Sequence, residues 1–176
     1  IRDRRYAVQF QSLMFGSAFY IEDYIENICN CDQTEFQYEV QTPLGLIAVG
    51  GYGRNSYAGK YIYILDLGGN DRYDLEQINS PQYIYDISGN DQYTALTDFA
   101  LGSGFLYPAF LIDSGGDDIY NGRNFSLGSG LFSVGMLVDE SGNDKYYGDT
   151  HTQGAGTFGI GMLVDKSGSD NYHCAL

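Results

Sequence analysis

The chain has 176 residues, 43% of them hydrophobic, which is enough for one domain with a buried core. Its 23 acidic against 9 basic side chains give a net charge of −14, so duplex nucleic acid and anionic membrane surfaces are poor partners. No segment approaches the roughly 18 continuous apolar residues of a membrane span.

At the start, Arg2, Arg4 and Arg5 precede an apolar stretch that Gln9, Gln11 and Ser12 interrupt. Residues 1–20 are therefore read as a mature or trimmed end rather than a signal peptide. Over residues 6–28, Phe10, Leu13, Met14, Ala18, Ile21, Tyr24, Ile25 and Ile28 recur at helical spacing and predict an amphipathic helix. Its charges run against the macrodipole, with Glu22, Asp23 and Glu26 at the C-terminal end. A helix with one apolar face suits the end of a repeat array, where core and strand edges need a cover. Residues 1–42 are expected to form this helical cap and its connector, and residues 43–176 the repeat domain. Cys29 and Cys31 lack zinc-site spacing, and free thiols are expected there and at Cys174. In an oxidising compartment, Cys174 would instead be placed to bridge to Cys29 or Cys31 of a neighbouring subunit.

Next comes the repeat. Two apolar residues followed by Asp-x-(Gly/Ser)-Gly-x-Asp-x-Tyr recur at residues 66–73, 86–93, 113–120, 139–146 and 165–172. The spacings are 20, 27, 26 and 26, close to a fixed period. Residues 45–59 resemble a degenerate first copy, with Gly50 replacing the first Asp and Asn55 the second. A second glycine corner recurs as Leu-Gly-Ser-Gly at 101–104 and 127–130, and as Gln-Gly-Ala-Gly at 153–156. Between corners lie short runs of strand character such as Phe110-Leu111-Ile112 and Met136-Leu137-Val138. An all-β fold follows: a parallel β-solenoid, or β-helix, of about 5–6 coils behind an N-terminal α-helical cap. The coil that begins at Asp165 stops before its next glycine corner, so either the chain is a fragment of a longer array or its last edge is expected to be completed by another molecule, as in end-to-end assembly or a filament.

Stacking at about 4.8 Å turns equivalent positions into ladders. Leu65, Tyr85, Ile112, Val138 and Val164 are expected as one inward row, and Tyr73, Tyr93, Tyr120, Tyr146 and Tyr172 as an aromatic row. Two acid columns follow: Asp66, Asp86, Asp113, Asp139 and Asp165, then Asp71, Asp91, Asp118, Asp144 and Asp170. Neighbouring carboxylates in a column repel by roughly 1 kcal/mol in water and several at an effective dielectric of 20. The residues leave two solutions open. In one, each Asp caps its own turn and water screens the row. In the other, divalent cations, Ca²⁺ by donor type, are held by these ten Asp residues with backbone carbonyls and Asn70, Asn90, Asp117, Asn143 and Ser169.

The turns at residues 68–73 and 115–120 resemble the glycine–aspartate calcium turns of RTX (haemolysin-type) repeats, which recur about every nine residues rather than about every 26. A closer resemblance is to largely uncharacterised bacterial and archaeal proteins with long Gly-Val-Gly-hydrophobic-Asp-x-Gly-Gly-Asp-Asp-x-Tyr repeats and a Gln-Gly-x-Gly corner. Residues 133–156 carry that pattern, and the likeness spans about residues 45–176. It implies a secreted or cell-surface solenoid and no known reaction. The expected role is a non-catalytic structural or binding module, with protein or glycan ligands suited to its 17 tyrosines. The alternative is a glycan-active enzyme using off-register acids such as Glu140 with Asp117 or Asp149. His151 and His173 form no column and no metal spacing, and the sequon at Asn124 is isolated.

Overall fold

The computed structural model describes residues 35–175. The chain enters on β1 (Gln37–Thr42) and turns back into β2 (Gly45–Gly50), which with β3 (Ser56–Gly59) makes the first coil. Strands β4 (Tyr61–Asp66) and β5 (Arg72–Leu75) make the second coil, and β6 (Gln82–Asp86) and β7 (Gln92–Ala95) the third. Three-strand coils follow: β8 (Gly104–Phe105), β9 (Ala109–Asp113) and β10 (Ile119–Asn121), then β11 (Gly130–Leu131), β12 (Val134–Asp139) and β13 (Lys145–Gly148). The last coil holds β14 (Gly156–Thr157), β15 (Ile160–Asp165) and β16 (Asn171–Cys174).

Equivalent strands stack in parallel into three sheets, β2-β4-β6-β9-β12-β15, β3-β5-β7-β10-β13-β16 and β8-β11-β14, and β1 adds antiparallel to the free edge of β2. The architecture is all-β with stacked parallel sheets, consistent with the expected solenoid. Its third sheet also accounts for the uneven spacing of the repeat. The second coil passes to the third without a third-sheet strand, after 20 residues, whereas each later coil includes one and needs 26 or 27. The predicted N-terminal helix falls on residues outside those described. Of the expected 1–42 cap and connector, Gln37–Thr42 is a strand, and no helix occurs among the described residues.

Side-chain alternation fixes what lies inside. Ile64, Ile84, Leu111 and Leu137 are fully buried and pack with Leu75, Leu101, Leu127 and the tyrosine row in one continuous core. The row expected inward, Leu65 to Val164, is one residue out of phase. Leu65, Tyr85 and Ile112 belong to a second apolar cluster with Ile62, Tyr63 and Tyr83, and Val138 and Val164 are half-buried. Because the period of a strand is two, the aspartate following each outward residue is the side chain that returns to the interior. Asp66, Asp86, Asp113 and Asp139 are all fully buried.

The corners of the three-strand coils are not all glycine. Phe99, Phe125 and His151, then Leu101, Leu127 and Gln153, then Leu106, Phe132 and Phe158 have φ between 49° and 60°. Each set repeats at one place in the coil, so left-handed backbone here is a property of the turn, offset by stacking such as Phe99 on Phe125 at 4.8 Å.

Candidate metal centre

Each parallel strand of the first sheet from β4 onward ends on an aspartate, and the register aligns Asp66, Asp86, Asp113, Asp139 and Asp165 in one column that begins at Gly50. One carboxylate oxygen closes the local turn: Oδ1 accepts the N–H of Gly68 and of Ser88 at 2.9 Å, of Gly115 at 2.9 Å and of Ser141 at 3.1 Å. The other accepts a tyrosine hydroxyl from the preceding coil. Tyr57 donates to Asp66 at 2.5 Å, Tyr73 to Asp86, Tyr93 to Asp113 at 2.6 Å, Tyr120 to Asp139 at 2.8 Å and Tyr146 to Asp165 at 3.2 Å. The tyrosine rings stack at 4.5 to 4.9 Å between centroids, as the expected aromatic row requires.

The second column is bound differently. Oδ1 of Asp71, Asp91, Asp118 and Asp144 accepts the backbone N–H of Asn55, Asp71, Asp91 and Asp118, the residue at the same place one coil earlier, at 2.6 to 2.7 Å. Asp170 does the same for Asp144 at 3.0 Å. These carboxylates cap a neighbour's turn rather than their own, which corrects half of the turn-capping expectation. Water screening is corrected too, because Asp71, Asp91, Asp118 and Asp144 are at most 3% exposed.

That leaves one oxygen of this column with nothing to bind in each of the first five coils. Oδ2 of Asp71, Asp91, Asp118 and Asp144 is buried without a hydrogen-bond partner, and so is Oδ1 of Asn55. The Asn55 amide is held in this orientation by its Nδ2, which donates to the Phe36 carbonyl at 2.9 Å. A buried orphan acceptor is costly, about 1–3 kcal/mol for a neutral group and more for a charged one. Carboxylate oxygens converge in four triads, each within 4.8 Å: Asp66/Asp71/Asp86, Asp86/Asp91/Asp113, Asp118/Asp139/Asp144 and Asp144/Asp165/Asp170. These clusters are arranged so that they can hold a metal ion, and their donors are all hard oxygens.

The electrostatics follow from burial. Loss of water raises the carboxyls of Asp66 and Asp139 to about 7 and of Asp144 to about 6. Burial also pushes up Asp71, Asp86, Asp91, Asp113 and Asp118, with the charges of Asp91 and Asp113 adding at Asp86 and that of Asp113 at Asp118. Burial and then the adjacent carboxylates drive the hydroxyls of Tyr73, Tyr93 and Tyr120 far above their usual range, so they remain donors.

Eight of the ten predicted aspartates therefore share a dry column, and Asp165 and Asp170 extend it half-buried in the last coil. The fifth-position residues do not belong to it. Asn70, Asn90, Asp117 and Asn143 are exposed and accept the N–H of the equivalent residue in the next coil, as from Asp117 to Asn90 at 3.0 Å. Gly50 and Asn55 stand where the first copy's aspartates were expected, and a Cβ on Gly50 would intrude between Tyr57 and Asp66. His151 stacks on Phe125 at 4.7 Å, His173 lies in register with Tyr147, and Cys174 is an exposed free thiol. Cys29 and Cys31 lie outside the described residues. The tyrosine hydroxyl as carboxylate donor was missed in the sequence; its signal is that all five copies carry Tyr and none Phe. No family model, no curated protein and no solved structure matches the chain.

Proposed function

We propose that this protein is a non-catalytic structural or binding β-solenoid, secreted or on a cell surface, whose interior acid column is stabilised by Ca²⁺. The observation that carries the proposal is the file of orphan carboxylate oxygens at Asp71, Asp91, Asp118 and Asp144. A cation would satisfy them and offset the repulsion between neighbouring carboxylates, about 3 kcal/mol per pair at an effective dielectric of 20. Ca²⁺ suits an all-oxygen site and tolerates irregular geometry, whereas Mg²⁺ keeps water that a dry column has little room for. The acids outside the two columns support a scaffold rather than a glycan-active enzyme: Glu140 pairs with Lys166 at 2.5 Å and Asp117 accepts from Asn143. The test is thermal unfolding in Ca²⁺ and in EGTA. An ion at 100 times its dissociation constant that binds only the folded chain adds about 2.7 kcal/mol, and an unchanged transition would remove calcium from the proposal.

Self-association through the last coil is part of the same proposal. Strands β14, β15 and β16 each have one hydrogen-bonded neighbour, and Tyr172 is 51% exposed where Tyr146 one coil earlier is fully buried. Pairing with a further coil, whether of the same chain or of a second copy, would cover both. Sedimentation across a hundredfold range of protein concentration tests this, and a species that stays monomeric throughout would sink it.

A further inference from the structure

The acid column has an internal division. The first two triads share Asp86, the last two share Asp144, and no aspartate is common to the two pairs. The orphan oxygens divide the same way, Asp71 and Asp91 lying around Asp86, and Asp118 and Asp144 belonging to the other set. Resting on the cation-stabilised reading above, we infer that the interior contains two cation sites rather than one per coil, the first joining Asp71, Asp86 and Asp91 and the second joining Asp118, Asp139 and Asp144, each taking one ion of Ca²⁺ size.

Spacing sets the size of the ion. Successive coils are 4.5 to 4.9 Å apart from ring to ring in the tyrosine stack. An ion midway between equivalent oxygens of two coils therefore lies about 2.4 Å from each, which is a Ca²⁺–oxygen distance and too long for Mg²⁺.

Charge sets the number. Five orphan oxygens, from Asn55 to Asp144, define four intervals along the file. Filling adjacent intervals would put two divalent ions one coil apart on a shared oxygen, a repulsion that weakens the later ion by at least about a hundredfold. Placing two ions in non-adjacent intervals avoids this, and there are three ways to do it. Ions between Asp71 and Asp91 and between Asp118 and Asp144 reach every charged orphan and leave out only the neutral Asn55 amide. Ions between Asn55 and Asp71 and between Asp91 and Asp118 would strand the Asp144 carboxylate. Ions between Asn55 and Asp71 and between Asp118 and Asp144 would strand the Asp91 carboxylate. The first arrangement agrees with the division of the triads, in which Asp71 and Asp91 each share a triad with Asp86, and Asp118 and Asp144 share one with Asp139.

The test is native mass spectrometry of the full chain titrated with CaCl₂, with tyrosine-sensitised Tb³⁺ emission as a second count in solution. Two ions are expected, with any third at least about a hundredfold weaker and Mg²⁺ at least about tenfold weaker than Ca²⁺. Asp86→Asn and Asp144→Asn should each retain one ion and the double variant none, while exposed Asp117→Asn retains two. Each substitution removes a buried charge, and circular dichroism in EGTA verifies the fold; the Tb³⁺ break point on the unsubstituted chain stands whatever the variants do. Four ions of similar affinity, a single ion, or two ions that survive both substitutions would overturn the two-site inference and leave calcium stabilisation standing. Binding of no ion would overturn both.

Discussion

The hydroxyl of Tyr93 donates to Asp113 Oδ2 in the following coil at 2.6 Å, and both side chains are fully buried. This contact ties the aromatic row to the acid column, since the tyrosine that fills one coil is the donor that holds the carboxylate of the next. Tyr93→Phe keeps the ring stack and removes the donor, so it should cost about 2 kcal/mol, as expected for a buried hydrogen bond to a charged group. Tyr146→Phe should cost less than about 1 kcal/mol, because its bond is 3.2 Å long and Asp165 also accepts from Tyr172 at 2.7 Å. Urea unfolding of both variants checks the ranking, and equal losses would contradict it.

Backbone closeness makes a second prediction. A Cβ on Gly116 would overlap the carbonyl oxygen of Gly89 in the neighbouring coil, and φ there is 155°. No side chain can yield to relieve a clash with backbone, so Gly116→Ala should destabilise by more than about 3 kcal/mol. Gly59 has open space where its Cβ would be, so Gly59→Ala meets only the strain of φ 117° and should be milder. Thermal unfolding of the two variants decides.

Asp91→Asn has opposite effects in the two conditions. In EGTA at pH 8 it removes a buried charge crowded by Asp113 and Asp71, and stability should rise by about 1–2 kcal/mol. In Ca²⁺ it removes a ligand, and the increment from the ion should shrink. Melting of both forms in both buffers reads this directly; a loss of stability in EGTA would show that the charge was already compensated.

The pH dependence in EGTA follows from the raised carboxyls. Asp66 and Asp139 titrate at about 7 and Asp144 at about 6 in the fold, against about 4 when unfolded. The folded chain thus binds more protons than the unfolded chain between those values, so their contribution is complete below about pH 4 and is lost as pH rises through 6 to 7. The melting temperature in EGTA should fall from pH 5 to pH 8. Saturating Ca²⁺, which binds the deprotonated carboxylates, should flatten that fall. A melting temperature that rises over this range in EGTA would reverse the sign and contradict the burial of the column.

Much of the architecture is legible in the sequence, because a period of 26 residues with fixed Gly, Asp and Tyr positions can be satisfied by stacking. Gly50 and Asn55 as the degenerate first copy are confirmed by register. Phase was harder to read. Leu65 and Asp66 are adjacent and so lie on opposite faces of the strand, Leu65 in the second apolar cluster, and hydrophobicity alone assigns the leucine to the face inside the coil. The tyrosine hydroxyls and the backbone N–H groups of neighbouring coils reverse that choice by giving the aspartates partners inside. Those partners come from other coils, 9 to 27 residues away, and a single copy of the motif does not reveal them. The corner residues Phe99, Leu101 and Leu106 were hidden for a related reason, since nothing local in a non-glycine residue announces a positive φ.

Where the ions lie tests the central claim most directly. In crystals grown with Tb³⁺ or Ca²⁺, anomalous difference maps should show peaks inside the column, between the orphan oxygens of Asp71 and Asp91 and between those of Asp118 and Asp144. Peaks confined to exposed acids such as Asp117, Glu140 and Asp149, with a dry and empty column, would contradict it.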